Sequence, residues 1–123
     1  MKKLLFLCQL VPAIIMLQTL YFKFTAAPES VWIFSTLGAE PLGRIGSGVV
    51  ELIAAVLILL PTMKVWGALL TMGTMAGAIL SHVFILGIQV QGDGGTLFGL
   101  ACVAFLSAAI VGHSDRERLF KLL

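Results

Sequence analysis

The sequence predicts an all-α integral membrane protein, an antiparallel bundle of four membrane-spanning helices with a short interfacial helix between the first two. Hydrophobic residues make up 59% of the 123 residues and charged residues only 11%, with a mean hydropathy of +1.07. A soluble domain carries about 25% charged residues, so the charge here is too sparse to cover a water-exposed surface. Four apolar segments approach the roughly 20 residues that cross a bilayer as a helix. The length suits a single domain over residues 1–123.

The first predicted helix covers residues 4–24. Its lysine-flanked start resembles a signal peptide, and residues 5–8 resemble a lipoprotein cleavage box. The apolar run continues to Phe22, however, and no small-x-small cleavage site closes it. Phe6 and Leu7 are also larger than the small residues that precede a lipoprotein cysteine. We therefore expect an uncleaved first membrane helix.

The other three predicted spans are separated by clear turns. They cover residues 43–60, 65–88 and 96–112. The four residues 61–64 begin with proline and leave room only for a tight turn, so the second and third helices should be antiparallel neighbours. The glycine-rich residues 91–95 form a second turn. Asp93 in this turn is a single carboxylate, which is too few ligands for a metal site.

A short helix is predicted over residues 28–37, between the first two spans. Pro28 suits a first helical turn and Gly38 suits a helix end. About ten residues cannot span a membrane. We expect this helix to lie at the membrane interface, with Trp32 at headgroup depth.

The distribution of basic residues predicts that both termini are cytoplasmic. Cytoplasmic loops carry an excess of Lys and Arg, and this orientation places six such residues inside and two outside. The inner set is Lys2, Lys3, Lys64, Arg116, Arg118 and Lys121, and the outer set is Lys23 and Arg44. The net charge of +2 forms no basic patch, so no nucleic-acid partner is expected. The lipid bilayer is the predicted environment.

Two ionisable side chains, Glu51 and His82, fall well inside predicted helices. A rise of about 1.5 Å per residue places both roughly 10 Å from the outer ends of those helices. Lys23 and Arg44 lie nearer that boundary. An isolated charge in hydrocarbon costs about 2.5–3.5 kcal/mol. We therefore predict that Glu51 faces the bundle interior and pairs with Lys23 or Arg44, with His82 close enough to couple.

Gln18 and Cys102 fall at a similar depth and are additional candidates for this polar cluster. Gln18 lies well over a right angle from the face of the first helix that carries Lys23. A lone cysteine is most often a small buried hydrophobe. No C-x-x-C spacing is present, so no metal site is predicted.

Small residues recur on the third helix. Gly73, Gly77 and Ser81 are spaced four residues apart. This spacing is typical of helices whose backbones approach closely in a membrane. We expect a neighbouring helix to pack against it.

The polar cluster has two interpretations from the residues alone. Lys23, Arg44, Glu51 and His82 could fix helix packing through an ion pair and hydrogen bonds. They could instead line an outward-facing pocket for a quinone-like headgroup, a proton or a small polar ligand. No residue is identified as catalytic, and whether the chain is an enzyme stays open.

Several sequence runs resemble the DoxX-like family of small bacterial membrane proteins. They are Leu-Gly-Ala-Glu-Pro-Leu-Gly-Arg at residues 37–44, Gly-Val-Val-Glu-Leu at 48–52 and Gly-Ala-Ile-Leu-Ser-His at 77–82. The resemblance implies a four-helix fold in the bacterial cytoplasmic membrane. It places Lys23, Glu51 and His82 on the family's characteristic polar positions. The family takes its name from a subunit of a thiosulfate:quinone oxidoreductase, which implies a link with redox systems.

Three functional hypotheses follow. The first is a membrane subunit or accessory factor of a respiratory or redox system, with a quinone-type ligand. The second is a non-enzymatic scaffold or assembly factor that binds a partner protein. The third, a small transporter, has less support because four unbroken helices lack the interrupted segments of known transporters.

Overall fold

The structure is a computed structural model that describes residues 2–89 and 92–117. It contains no strand within these ranges, and its five α-helices confirm the predicted fold class. They are α1 (Lys2–Phe24), α2 (Pro28–Thr36), α3 (Leu42–Leu59), α4 (Lys64–Ser81) and α5 (Thr96–Ser114). A π-helical turn, His82–Leu86, extends α4. The four long helices, with α4 counted through this turn, have the length and composition to cross a membrane.

The four long helices form a ring in the order α1, α3, α4, α5, with α5 closing back on α1. On α1 and α3, Gln9 contacts Ile58 at one end, and the carbonyl of Lys23 contacts Arg44 at the other. Residue numbers therefore rise along one helix as they fall along its neighbour, so the pair is antiparallel. On α4 and α5, Ala68 lies next to Gly112 and His82 lies next to Phe98. This pair of helices is therefore antiparallel as well.

Side chains from diagonally opposite helices meet at the centre of the ring. Met16 of α1 and Thr71 of α4 are both fully buried. The Thr71 hydroxyl bonds the carbonyl of Gly67 at 2.8 Å and lies 3.8 Å from the Met16 sulfur. Small residues such as Ala54, Ala68 and Ala104 fill the space around them.

The tightest helix contact lies at the α3–α4 hairpin. A Cβ placed on Gly67 would overlap the backbone of Ile58, so only glycine permits this approach. The prediction of close helix packing at Gly73 and Gly77 is wrong, because a Cβ on either would meet no atom within 4 Å. The two helices meet at their hairpin end, whereas these two glycines face open space further along α4.

The third predicted span, residues 65–88, corresponds to Lys64–Leu86, and its last part is a π turn. Regular α-helix ends at Ser81, and the π turn ends at Leu86. Gly87 has φ +86°, a conformation that stops a right-handed helix, and its N–H donates to the carbonyl of His82 at 2.8 Å. The other predicted helices differ from the observed bounds by no more than two residues at either end.

The connections carry the expected turn chemistry. Helix α2 begins with Pro28 at its first position and packs on α1, α3 and the π turn. Before α5, the Asp93 carboxylate accepts hydrogen bonds from the N–H groups of Gly95 at 2.8 Å and Leu97 at 3.1 Å. The Asp93 side chain therefore stabilises the start of α5 by accepting hydrogen bonds from backbone N–H groups. The membrane depth of Trp32 stays a prediction.

The charge count used for orientation extends beyond the described part of the chain. Arg118 and Lys121 lie outside the described residues, as does Gln91 of the second turn. The orientation of the termini therefore stays a prediction that rests on the sequence.

Candidate functional site

A buried ion pair joins α1 to α3. The Lys23 Nζ lies 2.6 Å from Glu51 Oε1, and the two side chains are only 14% and 5% exposed. The Thr19 hydroxyl lies 3.1 Å from Glu51 Oε2 and 2.8 Å from the carbonyl oxygen of Met16, and its one hydrogen is shared between these two acceptors. Because Thr19 and Lys23 are four residues apart on α1, they present their polar groups on the same helix face. Both carboxylate oxygens of Glu51 therefore have partners from α1.

Arg44, the other partner expected for Glu51, has a different role. Its Nε donates to both carboxylate oxygens of Glu40, at 2.8 and 3.0 Å. Its Nη1 donates to the backbone carbonyl of Lys23, a group left without an intrahelical partner at the end of α1. Arg44 thus holds the α1 terminus against the start of α3. The i,i+4 spacing from Glu40 is the sequence signal that would have identified this pair.

The Lys23 ammonium also lies under the short helix α2. It is 5.5 Å from the centroid of the Phe34 ring, within the range of a cation–π contact. Lys23 therefore connects three helices: its own, α3 through Glu51, and α2 through Phe34.

His82 is buried at the first position of the π turn, with 5% exposure. Its Nδ1 lies 3.0 Å from the carbonyl oxygen of Gly87. The ring packs edge-on against Phe98, with centroids 5.7 Å apart and planes at 73°. Among the described residues, no hydrogen bond joins the His82 ring to Glu51 or Lys23, and the coupling of His82 to this pair stays a prediction.

The three residues nevertheless share one cleft. It has a volume of about 530 Å³ and receives side chains from all five helices, including Thr19, Lys23, Glu51 and His82. Apolar side chains form most of the remaining wall, among them Ile15, Ile33, Phe34, Val50, Leu97 and Leu100. The cleft is thus an apolar chamber with polar groups at a few separate points.

The cleft is bordered by α3 and α4. Val50 on α3 and both Gly73 and Gly77 on α4 line it, and all three are exposed. These positions lie beyond the close contact at Gly67, where the two helices have separated. Helix α2 covers one end of the cleft with Ser30 and Phe34. An opening at these residues would face the side of the bundle.

Other predicted candidates lie elsewhere. Gln18 is exposed and lies about 100° from Thr19 around the axis of α1, away from the face that lines the cleft. Cys102 is half-buried on α5 and does not line the cleft, although the preceding Ala101 does. Arg44 does not line the cleft either. Sequence reasoning also missed Ser30, a buried residue of α2 that carries no periodic signal.

Comparison with known proteins identifies one match. The model of the DoxX-like family matches residues 7–110, a range that includes every residue lining the cleft. No curated protein and no solved structure matches the chain.

Proposed function

This chain belongs to the DoxX-like family and is a multi-pass membrane protein, and on that premise we propose that it binds a quinone-type ligand as a subunit or accessory factor of a membrane redox system. The proposed location is the bacterial cytoplasmic membrane, with both termini in the cytoplasm. The observation that carries the proposal is the cleft that holds Lys23, Glu51 and His82.

The size and lining of the cleft suit a small lipid-soluble molecule. Ligand pockets measure about 300–1,000 Å³ and combine apolar walls with a few placed polar groups. The volume of about 530 Å³ falls in this range. A ring of quinone size would contact the apolar side chains, while its oxygens reach the polar ones.

The ion pair favours an uncharged headgroup. Glu51 balances the charge of Lys23, so the pair adds no net charge to attract an anion. An ammonium group has three donors, and one of those on Lys23 is directed to Glu51. Its remaining donors are free to bond a carbonyl oxygen of a ligand.

The exposure of Val50 and Gly77, which both line the cleft, supports entry from the bilayer. A molecule dissolved in the lipid would pass between α3 and α4, at Val50 and Gly77, without crossing water. This route suits a hydrophobic quinone better than a small polar solute.

The proposal is tested by filling the cleft. Gly77→Leu should place a side chain in the open space and reduce quinone binding at least tenfold. Gly99→Leu is the matched control. Gly99 is also helical and exposed, and a Cβ placed on it would also meet no atom within 4 Å. Unlike Gly77, it lies outside the cleft. Binding is measured on the protein purified in detergent, together with solvent extraction of any co-purifying quinone.

Equal quinone binding by the two variants would exclude the cleft as the site. If the wild-type protein binds no quinone and instead retains a stoichiometric protein partner, the scaffold hypothesis is favoured. In that case the Lys23–Glu51 pair fixes the packing of α1 on α3.

A further inference from the structure

We infer that the ring of His82 is the hydrogen-bond acceptor for a hydroxyl group of the ligand, so that the cleft prefers a reduced, quinol-type headgroup over its quinone. This inference rests on the proposed function, because it assigns a role to one side chain of the proposed ligand cleft. It adds which chemical form of the headgroup is recognised and by which atom.

The first step is the tautomer of His82. Its Nδ1 lies 3.0 Å from the carbonyl oxygen of Gly87. A carbonyl oxygen can only accept a hydrogen bond, so Nδ1 must carry the hydrogen. In a neutral imidazole the other nitrogen is then an acceptor. The hydrogen bond therefore leaves Nε2 with a free lone pair.

The second step is the local structure that holds this orientation. The π turn places the Gly87 carbonyl five residues after His82, and the positive φ of Gly87 ends the helix there. The edge-on contact with Phe98 restricts the ring from the side of α5. Contacts from two helices thus keep Nδ1 directed to the backbone.

The third step is the state of Nε2. His82 is 95% buried and lines the cleft, and within residues 2–89 and 92–117 no hydrogen bond to Nε2 is found. Nε2 is therefore an acceptor that a ligand in the cleft can reach. A ligand O–H group would supply the missing donor, whereas a quinone offers only carbonyl oxygens, which cannot donate.

A second polar group that lines the cleft complements this arrangement. Lys23 presents donors, and the Thr19 hydroxyl is already engaged with Glu51. The cleft therefore offers a donor from α1 and an acceptor from the π turn. A headgroup with an accepting oxygen on one side and a hydroxyl on the other satisfies both.

The test compares three ligands of one skeleton: a short-chain benzoquinol kept reduced without oxygen, its dimethyl ether, and the matching benzoquinone. Apparent dissociation constants are measured by thermal stabilisation of the full chain in detergent. We expect the wild-type protein to bind the quinol about tenfold more tightly than the ether, a difference of about 1.4 kcal/mol. In His82→Phe this advantage should fall below about threefold, with binding of the ether and the quinone little changed.

Two further variants separate the acceptor from the ring. His82→Gln can place an amide oxygen near the position of Nε2 and should retain part of the quinol preference. His113→Phe is the control, since His113 is exposed at the end of α5, outside the cleft, and its replacement should change nothing. If His82→Phe does not fold, the wild-type comparison of quinol with ether, together with His82→Gln, decides the question.

The outcomes distinguish the two proposals. Equal wild-type affinity for all three ligands would overturn the role of His82 and leave the cleft as a ligand site. Binding of none of them would overturn the proposed function and this inference with it. Equal loss of all three ligands in a folded His82→Phe would show that ring shape, and not the acceptor, is recognised, which also contradicts the inference.

Discussion

Breaking the Lys23–Glu51 pair should strongly destabilise the bundle. Lys23→Met leaves the Glu51 carboxylate buried, with the Thr19 hydroxyl as its remaining partner. Removing one member of a buried ion pair costs about 3–5 kcal/mol. Lys23 is 14% exposed and Glu51 keeps one hydrogen bond, so we expect the lower end, about 3 kcal/mol.

The double variant should cost less than the sum of its parts. Glu51→Gln alone leaves the ammonium of Lys23 without its counter-ion, and we expect a loss of about 2 kcal/mol. With both changes no buried charge remains, so the pair should show a coupling energy of about 2 kcal/mol, within the range for residues in contact.

The matched control replaces the other cation. Arg44 bonds Glu40 and the carbonyl of Lys23, and not Glu51. The cycle of Arg44→Met with Glu51→Gln should therefore be additive within about 0.5 kcal/mol. This comparison separates a specific pair from a general effect of removing positive charge.

The assay is reversible unfolding in mixed detergent micelles, followed by circular dichroism. Free energies of unfolding are compared at one detergent composition for the four members of each cycle. Additivity in the Lys23–Glu51 cycle would refute the argument that the two charges stabilise each other in the folded state. Equal coupling in both cycles would contradict the assignment of Lys23 as the specific partner.

The remaining predictions concern packing and orientation. Gly67→Ala should destabilise the fold by about 1–3 kcal/mol through overpacking against the Ile58 backbone. Gly99→Ala, the control, should be neutral or stabilising because it adds helix propensity at an open site. A neutral Gly67→Ala in the same unfolding assay would contradict the close contact. Single cysteines at positions 29 and 93, in a background without native cysteines, should react with an impermeant reagent from outside the cell, and labelling from the cytoplasmic side alone would show that the charge count misassigned the orientation.

The polar cluster shows where sequence reasoning reached its limit. The cost of placing a carboxylate in hydrocarbon predicts that Glu51 faces inward and has a cationic partner, because that cost depends only on depth along one helix. Which cation it meets depends on the rotation of α1 against α3. That rotation brings Lys23 to Glu51 and leaves Arg44 to bind Glu40. Gln18 and Cys102 fall at the right depth but on the wrong faces.

The glycines illustrate the same limit. A four-residue spacing of small residues looks alike in a sequence whether a helix or an empty space lies against it. Gly67 meets the backbone of Ile58, whereas Gly73 and Gly77, on the same helix, border the cleft. The difference arises because α3 and α4 separate as they leave their shared turn.

By itself, the sequence determined the four spans, the short helix and the turns between them, because hydropathy, proline, glycine and aspartate act over a few neighbouring residues. It also determined that Glu51 needs a partner. Only the tertiary structure decided that Lys23 is this partner and that a cleft remains among the five helices. The physical reason is that these features depend on how far apart and how rotated the packed helices are, and neither quantity is encoded by local residue preference.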